Sequence, residues 1–168
     1  MLKDRLVELN AIKFGKFTLT SGKESDYYVD IKIAATDPRF LDEVSTELSR
    51  KVNAKVIAGV ELGAVPLIVA TALKSGLPYV IIRKEEHLHG TKSPMIGNVK
   101  HGEKVDVIED VVTTGNSVLR AVKMLRDMGA IVNRAVCVVD REEGGAQLLR
   151  QNGIELIPLV RISEVKGK

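Results

Sequence analysis

The sequence has almost no cysteine. Cys137 is the only one in 168 residues, so no disulfide framework can form within the chain, and no Cys/His cluster has zinc-site spacing. Long hydrophobic runs are missing as well, all of them well short of the roughly 18 residues that a membrane span needs. The first ten residues, "MLKDRLVELN", alternate charge with apolar side chains, unlike a secretory signal. No charge of one sign dominates: 25 Lys+Arg face 22 Asp+Glu. That balance suits anionic small molecules and argues only weakly for nucleic acid. There is no internal repeat, low-complexity tract or Pro/Ser-rich linker. The expectation is a single cytoplasmic domain over residues 1–168, with no nucleic-acid or membrane partner.

What is present is a rhythm. After a first helix carried by Leu2, Leu6, Val7 and Leu9, "KFTLTSG" and "YYVDIKIA" read as two short strands about a turn at Gly22. A helix capped by Thr36 or Asp37, with Pro38 in its first turn, should run to about Val52. From Lys55 onward, short apolar strands alternate with helices: "KVIAGV", "VPLIVATALKSG", "PYVIIR", a polar loop over Lys84–Gly102, "EKVDVIED", "NSVLRAVKMLRDMGA", "NRAVCVVDR", "GAQLLRQNG" and "IELIPLV". Strands apolar on both sides imply an α/β fold with a parallel sheet covered by helices on both faces. Ligands of such sheets sit beyond the carboxyl ends of the strands. The loops "VELGA", "RKEEHLHGTKSPM", "EDVVTTGNS" and "DREEGG" should therefore converge on one place.

The stretch "VDVIEDVVTTGNSV" carries the chemistry. A strand ends in Glu109 and Asp110, Val111 and Val112 follow, and Thr113, Thr114, Gly115, Asn116 and Ser117 lead into a helix. Hydroxyls and glycine at a helix start suit a phosphate, whereas carboxylates repel one. Two familiar phosphate loops are excluded, because the segment has neither a GK[ST] ending nor a GxGxxG run. It could simply be a helix start capped by Thr114 or Ser117, with both acids solvated. A ligand with vicinal hydroxyls at one end and a phosphate at the other reconciles the two halves. Carboxylates accept from ribose hydroxyls, while the N–H groups and hydroxyls of residues 113–117 take the 5-phosphate at the helix dipole.

This segment resembles the phosphoribosyl-diphosphate motif of type I phosphoribosyltransferases. "FGKFTLTSGKESDYYVDIK", "GVELGAVPL", "IIRKEEHLHGTKS" and "VVDREEGG" are similar, in order and spacing, to the orotate phosphoribosyltransferases, over roughly Leu6 to Leu159. The resemblance implies a five-stranded parallel core (about 36–168), a small N-terminal hood (about 1–35), and a homodimer whose long loop acts in trans. It implies transfer of a 5-phosphoribosyl group from 5-phosphoribosyl 1-diphosphate to orotate, a step of pyrimidine nucleotide synthesis. Mg2+ would be held mainly through substrate and water, without direct protein ligands. By position, Arg83, Lys84, His87 and His89 would join residues 109–117 at the donor, with Lys84, His87, His89 and Asp110 catalytic. Thr113, Arg141, Tyr27, Tyr28 and Lys32 would meet orotate. Strand alternation would turn only one of the two tyrosines toward the base. The chain departs from the family pattern at Thr20 and His87, where lysines are common, and at Leu62 and Gly63, where some bacterial members carry tyrosine and lysine. A purine phosphoribosyltransferase and a non-catalytic sensor of the donor remain alternatives; the hood segment argues against the first.

Overall fold

A computed structural model describes residues 1–19, 22–84 and 93–166. Thr20, His87, His89 and Lys92 lie outside the described residues. The elements in chain order are α1 (Leu2–Glu8), β1 (Ile12–Thr18), β2 (Glu24–Val29), α2 (Ile31–Ala34), α3 (Pro38–Lys51), β3 (Val56–Val60), α4 (Val65–Ser75), β4 (Tyr79–Ile82), β5 (Met95–Ile96), β6 (Lys104–Val112), α5 (Asn116–Asp127), β7 (Ile131–Asp140), α6 (Gly145–Gln151), β8 (Glu155–Arg161) and α7 (Ser163–Lys166).

The central sheet has the order β5-β4-β3-β6-β7-β8. Five strands are parallel, as expected, and β5 adds an antiparallel edge through Ile81–Ile96 and Ile82–Met95. This sixth strand lies inside what reads as loop, because two residues are too short to carry a periodic signal. The excursion is correspondingly narrower than Lys84–Gly102: Arg83 N donates to the Pro94 carbonyl at 2.9 Å and draws its ends together.

The strands are apolar on both sides because both sides are covered. Along β3, Val56, Ala58 and Val60 face the α5 layer with Val118, Val122 and Leu125, while Ile57 faces Phe40, Leu48 and Leu67 of α3 and α4. Burying one such aliphatic side chain contributes about 1.5–3 kcal/mol. Hood residues Leu6, Ile12, Tyr27 and Ile31 belong to the second of these two layers. The hood is thus continuous with the core on that face.

The hood differs locally from the expectation. β1 begins at Ile12, before "KFTLTSG", and β2 stops at Val29. Asp30 ends it: its carboxylate accepts from Lys32 N at 3.1 Å and caps the single turn α2. Lys32, expected on a strand, therefore sits on a helical turn. Among the described residues no helix is long and apolar enough to cross a membrane.

Candidate active site

The carboxyl ends of β3, β4, β6 and β7 open into a cleft of about 590 Å³. Glu109, Asp110, Val111, Thr113 and Ser117 line it from β6 and α5, Arg141 from the end of β7, Lys32 from α2, and Glu61, Leu62, Gly63 and Lys84 from the loops after β3 and β4. The parallel sheet brings these loops to one edge, as the strand–helix alternation requires.

β6 extends through Val112, two residues past the acids. Glu109 is buried and accepts weakly from the Ser117 hydroxyl at 3.4 Å through Oε2. Burial, with the neighbouring Asp110 charge adding to it, pushes its carboxyl up to about 8. Asp110 Oδ1 accepts from Val111 N at 2.8 Å. Lys32 Nζ lies 2.9 Å from Asp30 Oδ1 and 4.0 Å from Asp110 Oδ2. Burial works to lower the Lys32 ammonium, but the bond to Asp30 and the Asp110 charge outweigh it and raise it.

Neither Thr114 nor Ser117 caps α5. The N-cap is Gly115, with φ +83° and no side-chain cap bond. Thr114 Oγ1 instead accepts from Asn116 Nδ2 at 3.1 Å. The first turn of α5 thus keeps its orphan N–H donors for a ligand. Two glycine turns abut here. A methyl on Gly115 would lie 3.1 Å from the Gly145 backbone, and one on Gly145 would lie 2.9 Å from the Thr113 carbonyl. Gly145 N donates to that carbonyl at 3.1 Å.

Lys84 N donates to Glu61 Oε1 at 2.8 Å, tying the loops after β3 and β4. Arg83 lies apart from the acids and lines a small adjoining cavity of about 90 Å³ with Lys84, Ser117 and Arg120. Tyr27 is buried, while Tyr28 is turned outward with its ring 5.8 Å from that of Phe17. Neither tyrosine lines the cleft; Tyr27 reaches Arg141 from behind. Arg141 Nε donates to Tyr27 Oη at 3.1 Å, Tyr27 Oη donates to Glu143 Oε1 at 3.0 Å, and Arg141 Nη2 is 2.8 Å from the same oxygen. Burial raises the Tyr27 phenol, against the pull of Arg141.

A phosphoribosyl transferase domain model matches residues 36–150. Orotate phosphoribosyltransferase of Thermoplasma volcanium is 64% identical over 166 residues, covering 99% of each chain. This chain belongs to the orotate phosphoribosyltransferase family. Two solved structures of that family share its fold. The orotate phosphoribosyltransferase of Aeropyrum pernix has a TM-score of 0.86 at 30% identity, over 99% of this chain and 97% of that one. The Mycobacterium tuberculosis orotate phosphoribosyltransferase in complex with 5-phospho-alpha-D-ribosyl 1-diphosphate has a TM-score of 0.77 at 28% identity, over 98% of both.

Within this family fold, the cleft holds five residues that sequence reasoning left out of the site: Val29, Val60, Glu61, Leu62 and Gly63. The last four lie in "VELGA", a segment that the sheet topology directs to the site but whose side chains suggest no chemistry. Glu143 was also missed, although it sits two residues from Arg141 in "DREEGG".

Proposed function

We propose that this cleft binds 5-phosphoribosyl 1-diphosphate and orotate and transfers the phosphoribosyl group to orotate N1, releasing diphosphate and forming orotidine 5'-phosphate. The observation that carries the reading is that Glu109 and Asp110 line one cleft with Thr113, Ser117 and Arg141. The acids accept from the ribose hydroxyls. The α5 N-terminus, with Thr113 and Ser117, takes the 5-phosphate. Arg141 meets the orotate carboxylate or ring carbonyl with its planar fork. Thr113 touches the base, and Lys32 flanks both substrates.

As the C1–diphosphate bond breaks, positive charge grows on the ribose ring. Asp110 supplies negative field beside it, and fixed donors at the 5-phosphate hold the sugar in line with the base. Lys84, with His87 and His89, which lie outside the described residues, would face the departing diphosphate of the neighbouring subunit's site. The Asp110 carboxylate on the cleft wall, joined by Glu109 once ionised, would suit a Mg2+ held mainly through substrate and water. Bound there, Mg2+ would neutralise diphosphate charge. The family relationship further supports a homodimer with the residue 84–93 loop acting in trans, working in the cytoplasm.

The direct test follows orotate absorbance after addition of the donor and Mg2+. Absorbance should fall, and Asp110→Asn should weaken donor binding and turnover while keeping the fold. No orotate loss with wild-type protein, or Asp110→Asn kinetics equal to wild type, would overturn the reading. A screen of purine bases separates the neighbouring specificity.

A further inference from the structure

We propose that Glu143 is a positioning residue for the base: with Tyr27 it clamps one edge of the Arg141 guanidinium, so that the opposite edge is presented to the cleft. The proposal rests on reading Arg141 as the orotate contact. A guanidinium carries five N–H donors in a rigid plane. Here Nε and Nη2, which share one edge, are taken by Tyr27 Oη and Glu143 Oε1. The Tyr27 hydroxyl in turn donates to that same Glu143 oxygen, which closes a three-membered ring of contacts. The guanidinium carbon also lies 4.8 Å from the centroid of the Tyr27 ring.

Arg141 forms the wall between two cavities. One is the cleft with Asp110 and Thr113; the other, of about 510 Å³, holds Tyr27 and Glu143. The side chain is gripped from the second and offered to the first. Its backbone is fixed as well, through Arg141 N donating to the Val112 carbonyl at 2.9 Å. A fork held this way loses little side-chain entropy when a planar carboxylate arrives. Without Glu143, the same arginine must be ordered by the substrate.

A simpler role predicts the opposite sign. If Glu143 merely competed with orotate for Arg141, removing its charge would tighten orotate binding. The test is therefore steady-state kinetics of Glu143→Gln and Glu143→Ala, with Arg141→Ala and the Glu143→Ala/Arg141→Ala double variant. The KM for orotate should rise about five- to tenfold in Glu143→Ala, within the net worth of one typical hydrogen bond, because Glu143 acts only through Arg141. Glu143→Gln should fall between it and wild type, and the donor KM should stay within about twofold. The double variant should be no worse than Arg141→Ala alone. Unchanged or lower orotate KM in both single Glu143 variants, or additive losses in the double variant, would overturn the role of Glu143 while leaving Arg141 at the base. Wild-type-like orotate KM in Arg141→Ala would overturn both.

Discussion

The Cα of Gly63 lies directly against the carboxylate of Asp110: a methyl group added there would stand 2.1 Å from Oδ2 and 2.5 Å from Cγ. Gly63 does not have a left-handed backbone, so alanine there meets only this contact. Gly63→Ala should push the Asp110 side chain aside and raise the donor KM about tenfold, with little change in Tm, because misplacing a group by an ångström is enough for such a loss. Donor kinetics identical to wild type would mean that the Asp110 carboxylate does not need its present place.

Glu109 should oppose stability as pH rises. Its folded value is raised to about 8 from 4.5 by burial and the Asp110 charge. Between those values the folded form binds more protons than the unfolded one, so stability falls with increasing pH across that window. Glu109→Gln should remove the loss and be more stable than wild type by about 2–4 kcal/mol near pH 8, the difference closing toward pH 5. Urea unfolding of both ligand-free proteins across that range measures it. Parallel pH profiles would place the proton elsewhere.

The loop after β4 should serve a neighbouring subunit. Mixing Asp110→Asn chains with Lys84→Ala chains should restore up to about a quarter of wild-type activity, since half the dimers are mixed and each has one intact site of two. If subunits exchange and activity stays flat, the loop works in its own subunit.

His87 stands where the family commonly has lysine. An unperturbed imidazole titrates near about 6.5, and a bound diphosphate beside it favours the charged form. The kcat should therefore fall at mildly alkaline pH. His87→Lys should flatten that fall, and His87→Ala should lower kcat at neutral pH and weaken its alkaline dependence. A pH–rate profile of His87→Ala that overlays wild type would leave the diphosphate to another cation.

The sequence carries the parallel core in legible form because buried strands such as "KVIAGV" and "AVCVVD" cannot hide their composition. It carries the acid–hydroxyl motif too, since Glu109 and Asp110 stand close in sequence to Thr113 and Ser117, and the structure gathers these four in one cleft. Three things were not legible. The two-residue strand Met95–Ile96 is defined by its hydrogen bonds to β4, which no local pattern encodes. The turn at Ile31–Ala34 looks β-branched and extended, yet Asp30 caps it. The partners of Arg141 depend on which way Tyr27 faces, and that follows from which face of the β1–β2 hairpin packs on the core, the face that also carries buried Ile12. Alternation alone shows that one tyrosine turns inward without saying which.

The abutment of Gly115 and Gly145 joins two grips that chemistry would keep separate. One turn begins the helix proposed to hold the phosphate; the other closes the segment that carries Arg141. With the two backbones in contact and Gly145 N bonded to the Thr113 carbonyl, neither turn can shift without moving its neighbour. On the proposed roles, donor affinity and base selectivity should then be linked quantities. Redesign of the 141–145 segment toward a different base should then disturb the proposed phosphate site as well, and substitutions that recover selectivity should be sought in pairs spanning both turns.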